Sequence, residues 1–169
     1  MAGQGKASSP RGANDPTAPG EGFRWSATVG PMTAGFQVTF DAADPPALAA
    51  FWQLAMGYVE EPPPPGFATW AEFAAANSIP DDQLDNYGSA IDPNGKGPRF
   101  LFLKVPEAKS AKNRMHLDIH ARDPEAHVER LVEAGATKVE TRSEFGVTWT
   151  VMSDPEGNEF CVAKAPEGS

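Results

Sequence analysis

The chain has little cysteine, few basic residues and no long apolar run. A single cysteine, Cys161, excludes an internal disulfide framework and a multi-cysteine zinc motif, and it fits a reducing compartment. Lys and Arg number 14 against 23 Asp and Glu, a formal net charge of -9 that argues against general binding to nucleic acid or an anionic membrane. No run approaches the roughly 18 apolar residues of a membrane span, and the N-terminus lacks the apolar core of a signal peptide. We therefore expect a cytoplasmic protein whose partners are small molecules or other proteins.

The first part of the chain differs in composition from the rest. Residues 1–22 are rich in Gly, Ala, Ser and Pro, and Met1 is their only large apolar side chain. Such a segment buries too little apolar surface to offset the entropy lost on ordering, so we predict a disordered tail. The total of 169 residues suits one compact domain, which we place at residues 23–169.

The remaining sequence contains an internal repeat. At an offset of 79 positions, FQVTFDAADPPALAAFWQLA from Phe36 aligns without a gap on MHLDIHARDPEAHVERLVEA from Met115. Each copy alternates apolar and polar residues for six positions, which is typical of a strand with one buried face. An Asp-Pro pair follows in each copy and suits the N-cap and the first position of a helix. Each half is therefore predicted to begin with a strand and a helix.

The two halves also end alike. YGSAIDPNGKGPRFLFLKVPE (87–107) matches VTWTVMSDPEGNEFCVAKAPE (147–167) when a two-residue insertion is allowed, and both contain Asp-Pro-x-Gly between apolar runs. This is the chemistry of a type I turn in a β-hairpin. Residues 137–145 add one more strand in the second half, so the module is a strand, a helix and three strands. Module one is predicted at about 34–107 and module two at about 113–166.

Two such βαβββ modules predict an α+β domain. Its helices would cover the outer face of a curled mixed sheet, and the other face would surround a cavity. Polar side chains of this spacing also suit a simple solvated face, and that alternative stays open. The polar residues of the opening strands that would point to the cavity face are Gln37, Thr39, Asp41, His116, Asp118 and His120.

Module one carries an insertion at residues 59–86. Its four consecutive prolines make a stiff connector. Thr69 and Glu72 have the spacing of a capping box for a short helix that carries Trp70 and Phe73. The insertion is interpreted either as padding over a sheet end or as a lid on the cavity.

These features resemble the vicinal oxygen chelate superfamily. The openings FQVTFDAADP and MHLDIHARDP, the late DPEGNEF, the VPEAKSAKNRMHLD stretch and the GFATW insertion are similar to its glyoxalase-like and bleomycin-resistance-like branch. The resemblance covers about residues 34–165 and implies the two-module fold. It implies no single activity, because the superfamily includes metal-dependent isomerases, lyases, dioxygenases and thiol transferases, and also metal-free proteins that sequester antibiotics.

The resemblance also implies where a metal would bind. In the metal-dependent members the opening and closing strands of each module supply one ligand each, at positions that carry Gln37, His116, Leu101 and Cys161 here. The metal enzymes usually have Glu at the closing strands, whereas leucine binds no metal and cysteine binds one only as a thiolate. Because hard cations need carboxylates, we expect no metal cofactor and no glyoxalase I reaction. The alternative is a metal enzyme that holds Zn, Ni, Mn or Fe with Gln37, His116 and Cys161.

The leading hypothesis is a largely apolar pocket for a small hydrophobic or aromatic metabolite, used for sequestration, for resistance or for metal-free catalysis. His116 and Asp118 share a strand face and are the candidate catalytic pair, with His116 as a general base. The exposed edges of such sheets also predict a homodimer. The expected ligand-binding residues are Gln37, Thr39, Trp70, Phe73, Leu101, Leu103, His120, Trp149 and Cys161.

Overall fold

The protein was analysed as a computed structural model that describes residues 35–166. The predicted tail at 1–22 lies outside these residues. None of the helices in the described part of the chain is long and apolar enough to cross a membrane. In chain order the elements are β1 (Gln37–Ala42), α1 (Pro45–Met56), α2 (Trp70–Ala76), a 3₁₀ helix (Asp81–Asn86), β2 (Tyr87–Ala90), β3 (Arg99–Lys104), β4 (Asp118–Ala121), α3 (Pro124–Glu133), β5 (Thr137–Glu144), β6 (Val147–Ser153) and β7 (Glu159–Lys164).

The strands form two sheets, one for each module, and the predicted two-module α+β fold is confirmed. The first sheet has the order β1-β3-β2 and the second has the order β4-β7-β6-β5. In both, the opening strand lies at an edge and runs parallel to the closing strand of its own module. Module one lacks a full strand after α1, where a single bridge joins Val59 to Ile91. The run of prolines that follows Glu61 supplies no backbone N–H groups for a longer ladder.

Both predicted helix starts are confirmed. The Asp44 carboxylate accepts a hydrogen bond from Ala47 N at 3.2 Å, and the Asp123 carboxylate accepts one from Ala126 N at 3.1 Å. Each carboxylate thereby satisfies one of the free N–H groups of the first turn. Each helix follows its opening strand, and the buried side chains of the two strands, Ala42 and Ile119, belong to the same core as the helices.

The opening strands alternate in burial as predicted. In β1, Gln37, Thr39 and Asp41 are exposed, and in β4 Ile119 is buried between exposed Asp118 and His120. The predicted strand from Met115 to His120 begins later than expected, at Asp118. The residues before it belong to a connector that is bound to β7 by side-chain contacts, although Leu117 O still accepts from Cys161 N at 2.9 Å.

A single apolar core joins the two modules. Trp52 of α1 is 1% exposed and lies at the centre of this core. Its ring lies 5.8 Å from that of Phe100 in module one and 5.3 Å from that of Phe160 in module two. Because close-packed rings are costly to separate, this contact fixes α1 against both sheets.

One buried carboxylate completes this junction. Asp154, in the β6–β7 turn, is 3% exposed and accepts hydrogen bonds from Trp52 Nε1 at 3.1 Å and from Asn158 N at 2.8 Å. Next to it, the Glu156 carboxylate accepts from Ala43 N at 2.7 Å and from Asp44 N at 2.8 Å. The turn of module two thus binds both a core side chain and the backbone just before α1.

We expect Asp154→Ala to lower the free energy of unfolding by about 2–4 kcal/mol, because buried donors lose their acceptor. Asp92→Ala is the matched control, since Asp92 is the repeat counterpart of Asp154 and its partners within residues 35–166 are backbone and side-chain groups of its own turn. Urea unfolding followed by tryptophan fluorescence measures both. Equal losses in the two variants would contradict the role given to Asp154.

Candidate functional site

The second sheet has one face turned away from the core, called here the open face. The strand register shows which side chains lie on this face, because directly paired residues lie on the same face of a sheet. Asp118 pairs with Cys161, and Cys161 pairs with Val151. In the next row the paired residues are His120, Ala163 and Trp149.

Both predicted catalytic residues meet at one edge of the open face. His116 Nδ1 lies 3.0 Å from Asp118 Oδ1, and potential ligand atoms of His116, Asp118 and Cys161 all lie within 4.8 Å of one another. These three residues are called the His-Asp-Cys cluster below. When Nδ1–H of an imidazole donates to a carboxylate, Nε2 is left as the basic nitrogen. The cluster thus combines a candidate base, the group that orients it, and a thiol.

The thiol of Cys161 is protonated near neutral pH. Burial, together with the negative charge and hydrogen bonding of Asp118, raises its pKa to about 11, and the cations Lys112 and Arg142 act in the opposite direction. Because the thiolate is the reactive form, Cys161 is a poor nucleophile in this environment. As a metal ligand it would have to lose its proton on binding.

In module one, the residue that corresponds to His116 is Gln37, and its side-chain amide is already hydrogen-bonded. Gln37 Oε1 accepts from Arg99 Nη1 at 3.2 Å, and Gln37 Nε2 donates to Thr39 at 3.2 Å. Arg99 also forms an ion pair with Glu61 at 2.5 Å. The Gln37 amide, predicted to face a ligand or a metal, is therefore held within module one. Sequence reasoning missed Arg99 and Glu61, whose pairing depends on how the insertion folds.

The insertion packs largely on its own aromatic residues. Thr69 Oγ1 accepts from Glu72 N at 3.1 Å, which confirms the predicted helix start. Trp70 donates to the Glu61 carbonyl at 2.9 Å, and its ring meets that of Phe73 edge-on at 5.7 Å. Both rings are half-buried. Neither Trp70 nor Phe73 lines the two cavities described next.

A cavity of about 900 Å³ lies between the modules along the free edge of β1. It is bounded by β1, by residues of the connector between Val105 and Leu117, and by the turn at 155–159. Thr39 and His116 are the predicted site residues that line it. A smaller cavity of about 640 Å³ follows the edge of β4 and includes His120 and Asp118. The remaining predicted residues, Leu101, Leu103, Trp149 and Cys161, lie on sheet faces outside both linings.

The connector is fixed to β7 by one carboxylate. Glu159 accepts from Asn113 N at 3.0 Å and forms an ion pair with Lys109 at 3.2 Å. These contacts, the Asn113 N–H first, lower the pKa of Glu159 to about 2. Since Glu159 keeps its charge at ordinary pH, the connector is held where His116 reaches the cavity wall.

Residues 37–163 match the family described as Glyoxalase-like domain, and the chain therefore belongs to that family and to the vicinal oxygen chelate superfamily. No curated protein is similar enough in sequence to count as a relative. Among solved structures, a glyoxalase/bleomycin resistance protein/dioxygenase family enzyme from Burkholderia phytofirmans is 18% identical with a TM-score of 0.52, covering 77% of this chain and 97% of that one. The fosfomycin resistance protein FosX from Listeria monocytogenes, in complex with Mn(II) and a dihydroxypropylphosphonic acid, is 11% identical with a TM-score of 0.56, covering 80% and 94%. These likenesses concern the fold.

We expect Cys161 to react slowly with iodoacetamide at pH 8 and Asp118→Asn to speed the reaction several-fold, because a neutral neighbour lowers the pKa of the thiol. Asp41→Asn, which removes an exposed carboxylate of β1, is the control and should leave the rate unchanged. Intact-protein mass spectrometry measures the rates. Equal rates in the two variants would show that Asp118 does not control the thiol.

Proposed function

We propose that this protein binds a small, largely apolar molecule in the cavity between its modules, with His116, oriented by Asp118, contacting the polar group of that molecule. The observation that carries the proposal is the 3.0 Å His116–Asp118 contact beside a cavity of about 900 Å³. The volume lies within the range of about 300–1,000 Å³ that is usual for ligand pockets. Apolar parts of the wall come from Val38, Phe40 and Leu117, and the rest includes polar and charged side chains of the connector and of the turn at 155–159.

Binding and turnover use the same residues in this proposal. A ligand held against His116 by apolar contact alone is sequestered, as in a resistance protein. A ligand that presents an acidic O–H or C–H to Nε2 can lose that proton to His116, and Asp118 then stabilises the imidazolium by charge and hydrogen bonding. The buried, protonated Cys161 takes no covalent part in either case.

A second candidate function is supported by the donor set of the cluster. A histidine nitrogen, a carboxylate oxygen and a cysteine sulfur suit Zn²⁺ with one position left open, whereas hard cations favour more oxygen ligands. His116, Asp118 and Cys161 would hold the ion, and Gln37 would join only by giving up its contact with Arg99. A bound zinc would supply Lewis-acid activation of the ligand. Ni, Mn and Fe are the other ions to be tested.

One experiment separates the two candidates. Wild type, His116→Ala and His120→Ala are purified without a histidine tag, analysed for metal, and titrated with the neutral apolar dye Nile red and with zinc. The metal-free proposal predicts saturable dye binding that His116→Ala weakens about threefold to tenfold through a lost hydrogen bond. His120→Ala is the control on the same strand face and should bind like wild type.

Two outcomes would overturn the metal-free proposal. One is stoichiometric metal, or a zinc-dependent rise in Tm, that His116→Ala abolishes, because a tight ligand of the folded state must raise Tm. The other is the absence of saturable dye binding to wild type. Binding of dye with no change of Tm on adding zinc, nickel, manganese or iron would exclude the metal candidate instead.

We also infer that two copies associate through the free edge of β5. Every residue of β5 is exposed, and its outer edge has no strand partner among the described residues. The β5–β6 hairpin also exposes Val139, Phe145 and Val147. An unpaired, partly apolar edge is a template for another strand. The lone, buried and free Cys161 fits our further inference of a cytoplasmic location.

Light scattering after size exclusion is expected to give twice the chain mass of 18.0 kDa. Val139→Lys should shift the protein towards monomer by placing a charge at the edge. Val132→Lys, at an exposed position of α3, is the matched control and should remain dimeric. A monomeric wild type would contradict the inference.

A further inference from the structure

Strand β5 presents two charged side chains to the open face because its register shifts. Lys138 pairs with Met152 on the core side, but Glu140 pairs with Val151 and Arg142 with Trp149. Val139 has no partner on β6 at this shift, as in a β-bulge. Regular alternation would have placed Glu140 and Arg142 on the covered side of the sheet. The shift turns both onto the face that carries the His-Asp-Cys cluster.

These side chains complete two rows that cross all four strands. One row runs from Asp118 through Cys161 and Val151 to Glu140. The neighbouring row runs from His120 through Ala163 and Trp149 to Arg142. The middle of both rows is apolar, so the open face has polar groups at its two ends and an apolar floor between them.

Arg142 is held in place but keeps hydrogen-bond donors free. Its Nε donates to Glu140 Oε1 at 2.8 Å, and its Nη2 contacts the same oxygen. Nη1 has no acceptor among the described residues. A guanidinium has five N–H donors in a fixed plane and binds carboxylate-like groups in pairs. Glu140 therefore orients Arg142 while leaving one edge of it for a ligand.

We propose that Arg142, positioned by Glu140, binds an anionic group of the ligand and so selects for acids that have an apolar body. The inference rests on the proposed small-molecule function and names its ligand class. Strands β4 and β5 lie three strand spacings apart, about 14 Å. A ligand that contacts both His116 and Arg142 is therefore elongated and extends from the cavity beside His116 across the open face. Its apolar part would lie over Val151 and Trp149, with a carboxylate, sulfonate or phosphonate at the β5 end.

The test compares two dyes on three proteins. 1-Anilinonaphthalene-8-sulfonate is aromatic and anionic, and Nile red is the neutral reference. Arg142→Gln should weaken binding of the sulfonate about tenfold, the usual size of a lost charged hydrogen bond, and should remove most of its dependence on NaCl concentration. Nile red affinity should change less than twofold. Lys138→Gln removes the same charge from the same strand on its other face and should bind both dyes like wild type.

The outcomes that overturn the inference are distinct from those that overturn the pocket. Arg142 is excluded as the selecting residue if wild type and Arg142→Gln bind the sulfonate equally, or if Lys138→Gln loses as much affinity as Arg142→Gln. In either case, Nile red binding that depends on His116 would still support the pocket. Absence of saturable sulfonate binding to wild type also excludes it. Circular dichroism and Tm confirm that each variant is folded before its affinity is compared.

Discussion

The Asp154 carboxylate holds the two modules together, and the rest of the structure depends on this contact. A buried charge is costly unless its oxygens are hydrogen-bonded, and Trp52 together with the backbone of the β6–β7 turn supplies those bonds. Trp52 reaches Asp154 only when α1 lies against both sheets. The cavity between the modules, and the position of His116 at its wall, follow from that arrangement. The Glu156 carboxylate also accepts hydrogen bonds from the backbone immediately before α1, and these contacts fix where β1 ends.

The two halves share a fold but have diverged in their polar chemistry. In module one, Arg99 ties Gln37 to the insertion through Glu61, so the polar end of β1 is internally satisfied. In module two the equivalent end of β4 carries the His-Asp-Cys cluster, of which His116 lines the cavity between the modules. The leucine of module one and the cysteine of module two therefore stand in different surroundings, although they occupy matching strand positions. The cluster of candidate acid–base and metal-binding side chains therefore lies in module two.

Much of this could be predicted from the sequence because the signals are local or repeated. Alternation in FQVTFD and MHLDIH indicated which side chains face outward, and the Asp-Pro pairs indicated where α1 and α3 begin. Contacts that join distant segments could not be predicted. Nothing in the sequence pairs Arg99 with both Glu61 and Gln37, and the strict alternation of charge from Lys138 to Glu144 predicts a single face for all four charges. The register shift at Val139 separates Lys138 from the others, and its only sequence signal is an apolar residue in an otherwise polar run.

The open face has polar side chains at its two ends and apolar side chains between them. The Cys161 thiol is neutral, and the Asp118 carboxylate lies beside it on the neighbouring strand. Because β4 is the edge strand, this carboxylate lies at the side of the sheet, where it pairs with His116. The centre is then left to Val151, Ala163 and Trp149, and the cation at the far end is Arg142. The proposed recognition of an elongated acid rests on this order of groups, with a histidine–carboxylate pair at one end, an apolar middle and a guanidinium at the other.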